Sequence, residues 1–315
     1  MLQERGITMN DSRFPGGVWP VMLAPFTSEN TIDYNALGEL VEWYIKEGAS
    51  GLFAVCQSTE MFCLSLEERV EYARFVKEKA AGRVPVIASG HISDSFEDQV
   101  KEILAVSATG VDATILITNR LAKQEESDEV WMAALDRLLQ ELPTDIKLGF
   151  YECPYPYKRL LSREMIQKCA RTGRFYFLKD TCCDISRIRE KLEACQGTNM
   201  KLYNANTATL LDSLLAGATG YSGVMANMQC RLYTELCKNP MGAQMTALSD
   251  ALTICALIEK QVYPVNAKYY LQLEGLPINI FSRTKDASEL NDTARKEVQM
   301  LRRFTERLAR ELAII

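Results

Sequence analysis

Short apolar runs alternate with amphipathic segments along the first three quarters of the chain. The runs lie at residues 18–26, 51–56, 84–89, 111–118, 146–152, 175–179, 201–205 and 219–226. Runs that are apolar on both faces are typical of parallel strands covered by helices, and the stretches between them carry apolar residues at helical spacing. Eight strand–helix units in about 220 residues favour an α/β fold, a (β/α)8 or TIM barrel, over an open doubly wound sheet.

The pattern divides the chain into three segments. Residues 1–16 form a lead-in, residues 17–239 the barrel, and residues 240–315 a C-terminal helical extension. We expect the extension to be helical throughout and to be an appendage rather than a separately folding domain, because no Pro/Gly/Ser-rich linker precedes it. The apolar stripe of its last helix comprises Leu301, Phe304, Leu308 and Leu312.

Local signals indicate where three of the barrel helices begin. Ser65 is followed three residues later by Glu68, which is the pattern of a capping box. Two further helices are expected from about Ser162 and from about Asp184.

Composition narrows the functional classes. Apolar residues make up 47% and charged residues 24% of the 315 residues, which is ordinary for a soluble globular protein. No membrane span and no secretory signal are expected. The net charge of −5 is spread without a basic block, so no nucleic-acid partner is expected. Ten irregularly spaced cysteines suit free thiols in a reducing cytoplasm.

The chain has a single histidine, His91. This argues against a metal site built on several imidazoles and leaves serine-hydrolase chemistry only one base. No glycine-rich phosphate-binding motif occurs either. The chemistry of an enzyme with this sequence would rest on Lys, Tyr, Ser, Thr or carboxylates.

Polar residues follow several of the predicted strands. Lys179 ends the sixth strand, Tyr151 ends the fifth, residues 56–60 follow the second, and residues 89–91 follow the third. In a barrel of this kind the catalytic groups lie at the C-terminal ends of the strands, so these groups should converge. The apolar run 175–179 by itself leaves two interpretations of Lys179 open. It could be a solvated cation at the end of a strand, or an amine in a dry pocket with a lowered pKa.

Five stretches carry a resemblance to a known family. They are "VWPVMLAPFTSENTIDYNAL", "GLFAVCQSTEMFCLSLEER", "FYECP", "LKDT" and "GATGYSGVMAN". Their order and spacing resemble the dihydrodipicolinate synthase / N-acetylneuraminate lyase family of class I aldolases over nearly the whole chain, and the chain is similar to a divergent member.

The resemblance implies a catalytic set. Lys179 would form a Schiff base with a 2-keto acid, so that no metal or organic cofactor is needed, and Tyr151 would move a proton with Ser58 as its relay. Glu60 would be structural. The substrate-binding set comprises Gln57, Ser58, Thr59, Ala205 and Ser222, of which residues 57–59 would face the keto-acid carboxylate. His91, Cys153 and Cys182 are left without an assigned role.

Three departures bear on the substrate. Synthase members carry an arginine where this chain has Pro156, and a Tyr-Tyr pair, used across a subunit contact, where it has Asn119-Arg120-Leu121. The glycine- and threonine-rich loop of the family becomes Cys56-Gln57-Ser58-Thr59-Glu60. These changes put dihydrodipicolinate synthesis in doubt.

The sequence therefore predicts a cytoplasmic Schiff-base lyase or aldolase. Its substrates would be pyruvate or a related 2-keto acid with an aldehyde, in aldol cleavage or addition, or a 2-keto-3-deoxy sugar acid in dehydration. The alternatives are 4-hydroxy-tetrahydrodipicolinate synthase itself, a non-catalytic keto-acid-binding protein on the same fold, and an unrelated barrel enzyme. The resemblance further implies a homo-oligomer, either a dimer or a tetramer.

Overall fold

The computed structural model describes residues 14–314, so most of the predicted lead-in lies outside the described residues. Eight parallel strands run in the order β1-β8-β7-β6-β5-β4-β3-β2. The strands are β1 (Gly17–Val18), β2 (Leu52–Phe53), β3 (Val86–Ser89), β4 (Ala113–Ile117), β5 (Leu148–Tyr151), β6 (Phe175–Asp180), β7 (Lys201–Asn204) and β8 (Gly220–Tyr221). A parallel bridge between Val21 and Phe53 joins the two ends of this order. The predicted (β/α)8 barrel is confirmed.

Each predicted apolar run overlaps one strand, and a helix follows every strand. The helices are α1 (Tyr34–Lys46), α2 (Leu66–Ala80), α3 (Phe96–Ser107), α4 (Asp128–Glu141), α5 (Arg163–Arg171), α6 (Ile185–Cys195), α7 (Leu210–Leu215) and α8 (Ala226–Lys238). The predicted helix starts are confirmed. Ser65 and Glu68 exchange hydrogen bonds of 3.1 and 2.9 Å with each other's backbone N–H groups, and Ser162 and Asp184 cap α5 and α6.

Aromatic side chains fill the barrel below the C-terminal ends of its strands. Phe177 stacks on Tyr203 with ring centroids 4.2 Å apart, and Trp19 contacts both rings. Gly149 makes room for this packing, because an added Cβ would lie 2.7 Å from the carbonyl oxygen of Phe177. The floor beneath the strand ends is therefore apolar and densely packed.

The C-terminal extension consists of α9 (Met245–Cys255), α10 (Val265–Leu273) and α11 (Asp292–Glu311), with a short 3-10 helix at Ala256–Lys260. The expectation that it is helical throughout is wrong for the segment between α10 and α11. Gly275, with φ of +92°, ends the turn after α10, and residues 276–286 then run without a helix across the barrel mouth. Among the described residues, no helix is long and apolar enough to cross a membrane.

Candidate active site

A cavity of about 400 Å³ opens at the C-terminal ends of the barrel strands. We call it the strand-end cavity. Its lining comprises Gln57, Ser58, Tyr151, Pro154, Lys179, Thr181, Ala205, Gly223, Val224, Glu259, Tyr263, Pro264, Thr284 and Lys285. Five of the predicted site residues, Lys179, Tyr151, Gln57, Ser58 and Ala205, thus meet in one place.

Lys179 is a buried amine that forms no ion pair with any described residue. Its side chain, 4% exposed, points into the barrel from β6, and Nζ lies 4.3 Å from the ring centroid of Tyr151. Two other lysines are buried, Lys191 and Lys268, and each binds a carboxylate, whereas no carboxylate within residues 14–314 forms an ion pair with Lys179. Burial lowers the pKa of Lys179 from 10.5 to about 8. The solvated strand-end cation is thereby excluded.

Tyr151 stands beside Lys179 because the two residues are register partners on the neighbouring strands β5 and β6. Residues at paired positions of parallel strands point to the same face of the sheet. The phenol of Tyr151 donates a long hydrogen bond of 3.5 Å to Oε1 of Gln57. Burial raises its pKa well above 10, so the phenol is protonated at neutral pH.

Ser58 has a different partner from the one that the resemblance implies. Its Oγ accepts a hydrogen bond of 2.8 Å from the phenol of Tyr263, and no hydrogen bond joins it to Tyr151 in the structure. Tyr263 lies two residues before the start of α10, and the sequence analysis missed it. Its position in the C-terminal extension does not indicate from the sequence that this part of the chain packs against the barrel mouth.

Thr59 and Ser222 do not reach the strand-end cavity. Thr59 is fully buried, and its hydroxyl oxygen lies 2.7 Å from the carbonyl oxygens of both Met22 and Ala54, which share its one proton. These contacts hold the loop after β2 to the barrel. The hydroxyl of Ser222 donates to the carbonyl oxygen of Trp19 at 3.0 Å. Backbone carbonyls therefore occupy both hydroxyls that were predicted to contact substrate.

Glu259 is a second cavity residue that the sequence analysis missed. It lies in the 3-10 helix Ala256–Lys260 and shares the strand-end cavity with Lys179. Partial burial raises its pKa from 4.5 to about 6, while the positive charges of Lys260 and Lys179 act in the opposite direction. The carboxylate in turn favours the charged form of Lys179.

Glu60 ties the extension to the barrel, as its predicted structural role requires. Oε1 accepts from Lys268 Nζ at 3.0 Å, and Oε2 accepts from the backbone N–H groups of Arg283 and Thr284 at 2.7 and 2.9 Å. Ser282 donates to the same oxygen at 2.8 Å. This one carboxylate therefore fixes the segment that brings Thr284 and Lys285 to the cavity.

A buried ion cluster supports strands β5 and β6 from outside the barrel. Glu152 and Asp180, the residues next to Tyr151 and Lys179, both bind Lys191 of α6, at 2.6 and 2.5 Å. All three side chains are nearly inaccessible. Because neighbouring residues of a strand point to opposite faces, the cluster holds β5 and β6 together behind the pair that faces the cavity.

His91 is buried beneath β4, outside the cavity lining. Its Nε2 accepts from the backbone N–H of Ile117 at 2.8 Å, so Nδ1 carries the proton and donates to Gln99 Oε1 at 3.1 Å. Burial lowers its pKa from 6.5 to about 4, which keeps the ring neutral. This is a structural histidine.

The thiols near the site are not activated. Burial raises the pKa of Cys153 from 9.0 to about 11 and that of Cys182 to about 12, which disfavours the nucleophilic thiolate. All ten cysteines are free. Within residues 14–314, no group of three or more His, Cys, Asp or Glu side chains is arranged to hold a metal ion.

Known proteins are similar to this chain in sequence. 4-hydroxy-tetrahydrodipicolinate synthase of Pseudomonas aeruginosa is 23% identical over 269 residues, which covers 83% of this chain and 85% of the relative. The protein of the same name from Pseudomonas savastanoi pv. phaseolicola is 25% identical over 262 residues, covering 83% and 85%.

Two solved structures illustrate the common fold. Chloride-inhibited dihydrodipicolinate synthase of Acinetobacter baumannii, complexed with pyruvate, superposes with a TM-score of 0.82 at 22% identity, covering 93% of this chain and 99% of the other. YagE of E. coli K12, a prophage protein also complexed with pyruvate, gives 0.82 at 19% identity, covering 92% and 98%. The model of the dihydrodipicolinate synthetase family matches residues 14–301. The chain therefore belongs to the dihydrodipicolinate synthetase family.

Proposed function

We propose that the protein is a class I lyase or aldolase that forms a Schiff base between Lys179 and pyruvate or a related 2-keto acid. The observation that carries this proposal is the buried amine of Lys179 in the strand-end cavity, which forms no ion pair with any described residue and has its pKa lowered to about 8. A neutral amine is the nucleophile that imine formation needs. Two paired carboxylates, as at Lys191, would instead favour the charged amine.

The neighbouring groups suit the steps that follow. The amine attacks the keto carbon, water leaves, and the iminium accepts electrons when the adjacent carbon loses a proton or its carbon–carbon bond breaks. The ring centroid of Tyr151 lies 4.3 Å from Nζ of Lys179, and its phenol would transfer the proton to and from the substrate oxygen. Gln57 and Ser58 would hold the keto-acid carboxylate, with Ala205 on the opposing lining. Thr59 and Ser222 would support the barrel rather than the substrate.

The second half of the substrate is proposed to be hydroxylated, as in a 2-keto-3-deoxy sugar acid. Within the described residues, no arginine lines the strand-end cavity, whereas Thr181, Glu259, Thr284 and Lys285 do. Hydroxyl and carboxylate groups can exchange hydrogen bonds with a polyol. Cleavage, addition and dehydration all proceed through the same imine.

4-hydroxy-tetrahydrodipicolinate synthase activity is the second candidate. The names of the similar curated proteins favour it, and the missing arginine speaks against it. Consumption of pyruvate on adding aspartate semialdehyde, set against pyruvate release or loss of water from a panel of 2-keto-3-deoxy acids, separates the two candidates.

Borohydride trapping with pyruvate, read by intact mass and peptide mapping, tests the imine itself. We expect a pyruvate-sized adduct on Lys179 that is absent from Lys179→Ala. Lys285→Ala, which removes an exposed amine from the same cavity, is the matched control and should keep the adduct. No adduct with pyruvate or with any 2-keto-3-deoxy acid would favour a non-catalytic keto-acid-binding protein, and an adduct that survives in Lys179→Ala would place the imine on another amine and overturn the role of Lys179.

We further propose that the protein works as a cytoplasmic homo-oligomer, a dimer or a tetramer. This proposal rests on the family alone. Sedimentation velocity of the purified chain measures the assembly, and a single monomeric species would contradict it.

A further inference from the structure

A line of buried hydrogen bonds runs from Val21, where the two ends of the strand order meet, to the strand-end cavity. Asn227 of α8 donates from Nδ2 to the carbonyl oxygen of Val21 at 3.0 Å and to the phenol of Tyr263 at 2.9 Å. Its Oδ1 accepts from the phenol of Tyr44 at 2.5 Å. Because a backbone carbonyl can only accept, Val21 fixes which end of the Asn227 amide faces Tyr263.

This arrangement sets the direction of the next bond. The phenol oxygen of Tyr263 accepts from Asn227, so its single proton is available for Ser58 Oγ, 2.8 Å away. Burial raises the pKa of Tyr263 well above 10, which keeps that proton on the phenol. If Ser58 instead donated to Tyr263, the phenol proton of Tyr263 would have no acceptor among the described residues, because Nδ2 of Asn227 can only donate.

The hydroxyl proton of Ser58 is therefore left for a ligand. Ser58 is 6% exposed and lines the strand-end cavity. Apart from Tyr263, no group among residues 14–314 forms a hydrogen bond with its Oγ. A hydroxyl that already accepts one hydrogen bond is also a stronger donor, because successive bonds polarise one another.

We propose that Tyr263, a residue of the C-terminal extension, is a positioning residue that holds Ser58 as a hydrogen-bond donor aimed at the carboxylate of the bound 2-keto acid. This role rests on the proposed function, because it needs a keto acid in the cavity. Tyr263 acts through Ser58 and does not itself transfer a proton. Its effect should therefore fall on binding of the keto acid rather than on the rate of imine formation at saturation.

The test measures borohydride trapping on Lys179 as a function of pyruvate concentration in single and double variants. Tyr263→Phe keeps the ring and removes the phenol. We expect it to raise the half-saturating pyruvate concentration about tenfold, the effect of one hydrogen bond to a charged group, with the saturating rate nearly unchanged. Ser58→Ala should raise it at least as much.

The double variants distinguish positioning from a general structural role. Adding Tyr263→Phe to Ser58→Ala should cause no further loss, whereas adding it to Ser58→Thr, which keeps the hydroxyl, should again raise half-saturation about tenfold. Tyr270→Phe is the matched control: Tyr270 is a buried tyrosine of α10 that does not line the strand-end cavity. It should leave half-saturation unchanged.

Two results would overturn the role of Tyr263 while leaving the imine chemistry intact: unchanged half-saturation in Tyr263→Phe, or the same tenfold loss in the Ser58→Ala background. A wild-type protein that traps no keto acid would instead overturn the proposed function and the role of Tyr263 with it. If Tyr263→Phe does not fold, 3-fluorotyrosine at position 263 replaces it. Its more acidic phenol is a stronger donor and should lower half-saturation, and a rise or no change would count against the proposal.

Discussion

Burial, opposed by nearby negative charge, sets how much neutral amine the site contains. Burial disfavours the ammonium form of Lys179, and the carboxylate of Glu259 partly restores it. With a pKa of about 8, about a tenth of Lys179 is neutral at pH 7. The pKa of Glu259, about 6, keeps most of its carboxylate ionised at the same pH.

Removal of the negative charge should lower the pKa of Lys179 further. In Glu259→Gln we expect the inflection in the pH dependence of imine formation with pyruvate to move to lower pH, because the ammonium loses its neighbouring anion. The rate at pH 7 should rise accordingly. The measurement is the initial rate of borohydride-trapped adduct between pH 6 and pH 10.

Glu141→Gln, a change at an exposed residue at the end of α4, is the control and should leave the inflection in place. An inflection that is unchanged or higher in Glu259→Gln would show that the carboxylate does not act on Lys179.

Among the residues of the candidate site, those at the ends of predicted strands could be located from the sequence, and those in loops could not. Lys179 and Tyr151 follow from their positions at the ends of predicted strands. Thr59 was predicted to contact substrate because its hydroxyl lies in the loop after β2. The sequence does not show that this hydroxyl already binds two backbone carbonyl oxygens. Tyr263 could not be found, because nothing in local periodicity tells where a distant segment packs.

The elements β5, β6 and α6 are joined by the ion cluster of Glu152, Asp180 and Lys191. Burial alone would lower the pKa of Lys191, but the two carboxylates outweigh burial and raise it. The cluster therefore consists of one buried cation shared by two carboxylates, and breaking it leaves buried charge without compensation.

Lys191→Met should destabilise the fold by about 4 kcal/mol, because two buried carboxylates lose their cation. It should also weaken pyruvate trapping, since Tyr151 and Lys179 precede those carboxylates in the chain. Thermal unfolding at pH 7, followed by circular dichroism, measures the first effect. Lys168→Met, at an exposed surface pair, is the control, and equal melting temperatures for the two variants would contradict the prediction.

Most elements could be predicted because each barrel strand is a local apolar run and a helix follows each strand. Their lengths could not: β1, β2 and β8 are only two residues long, because pairing depends on where the neighbouring strands stop. The segment between α10 and α11 contains Ile278, Ile280 and Phe281, which on their own are compatible with a helix. Its course is set by contacts with Glu60, more than 200 positions earlier in the chain.

Across the whole molecule, Glu60 joins the first quarter of the sequence to the last. Its carboxylate accepts the backbone N–H groups of Arg283 and Thr284. Glu60→Ala should speed hydrogen exchange at these two amides by at least about tenfold, because each loses a charged acceptor. Exchange measured by mass spectrometry on peptides covering 276–286 reports the change.

Glu68→Gln is the matched control. Glu68 binds the guanidinium of Arg283 without touching its backbone, and glutamine can still serve in the capping box of α2. Exchange at 283 and 284 should change little in this variant. Equal exchange in Glu60→Ala and the wild type would show that the segment is held by other contacts.

The contribution of the extension to the strand-end cavity also sets the order in which the site is completed during translation. A ribosome that has finished the eighth strand has already made Lys179, Tyr151 and Ser58, but not Glu259, Tyr263 or Lys285. A message cut short after residue 239 would encode Lys179, Tyr151 and Ser58 but none of the C-terminal residues that line the strand-end cavity with them. We therefore expect the nascent chain to complete the strand-end cavity only when its last quarter has been made.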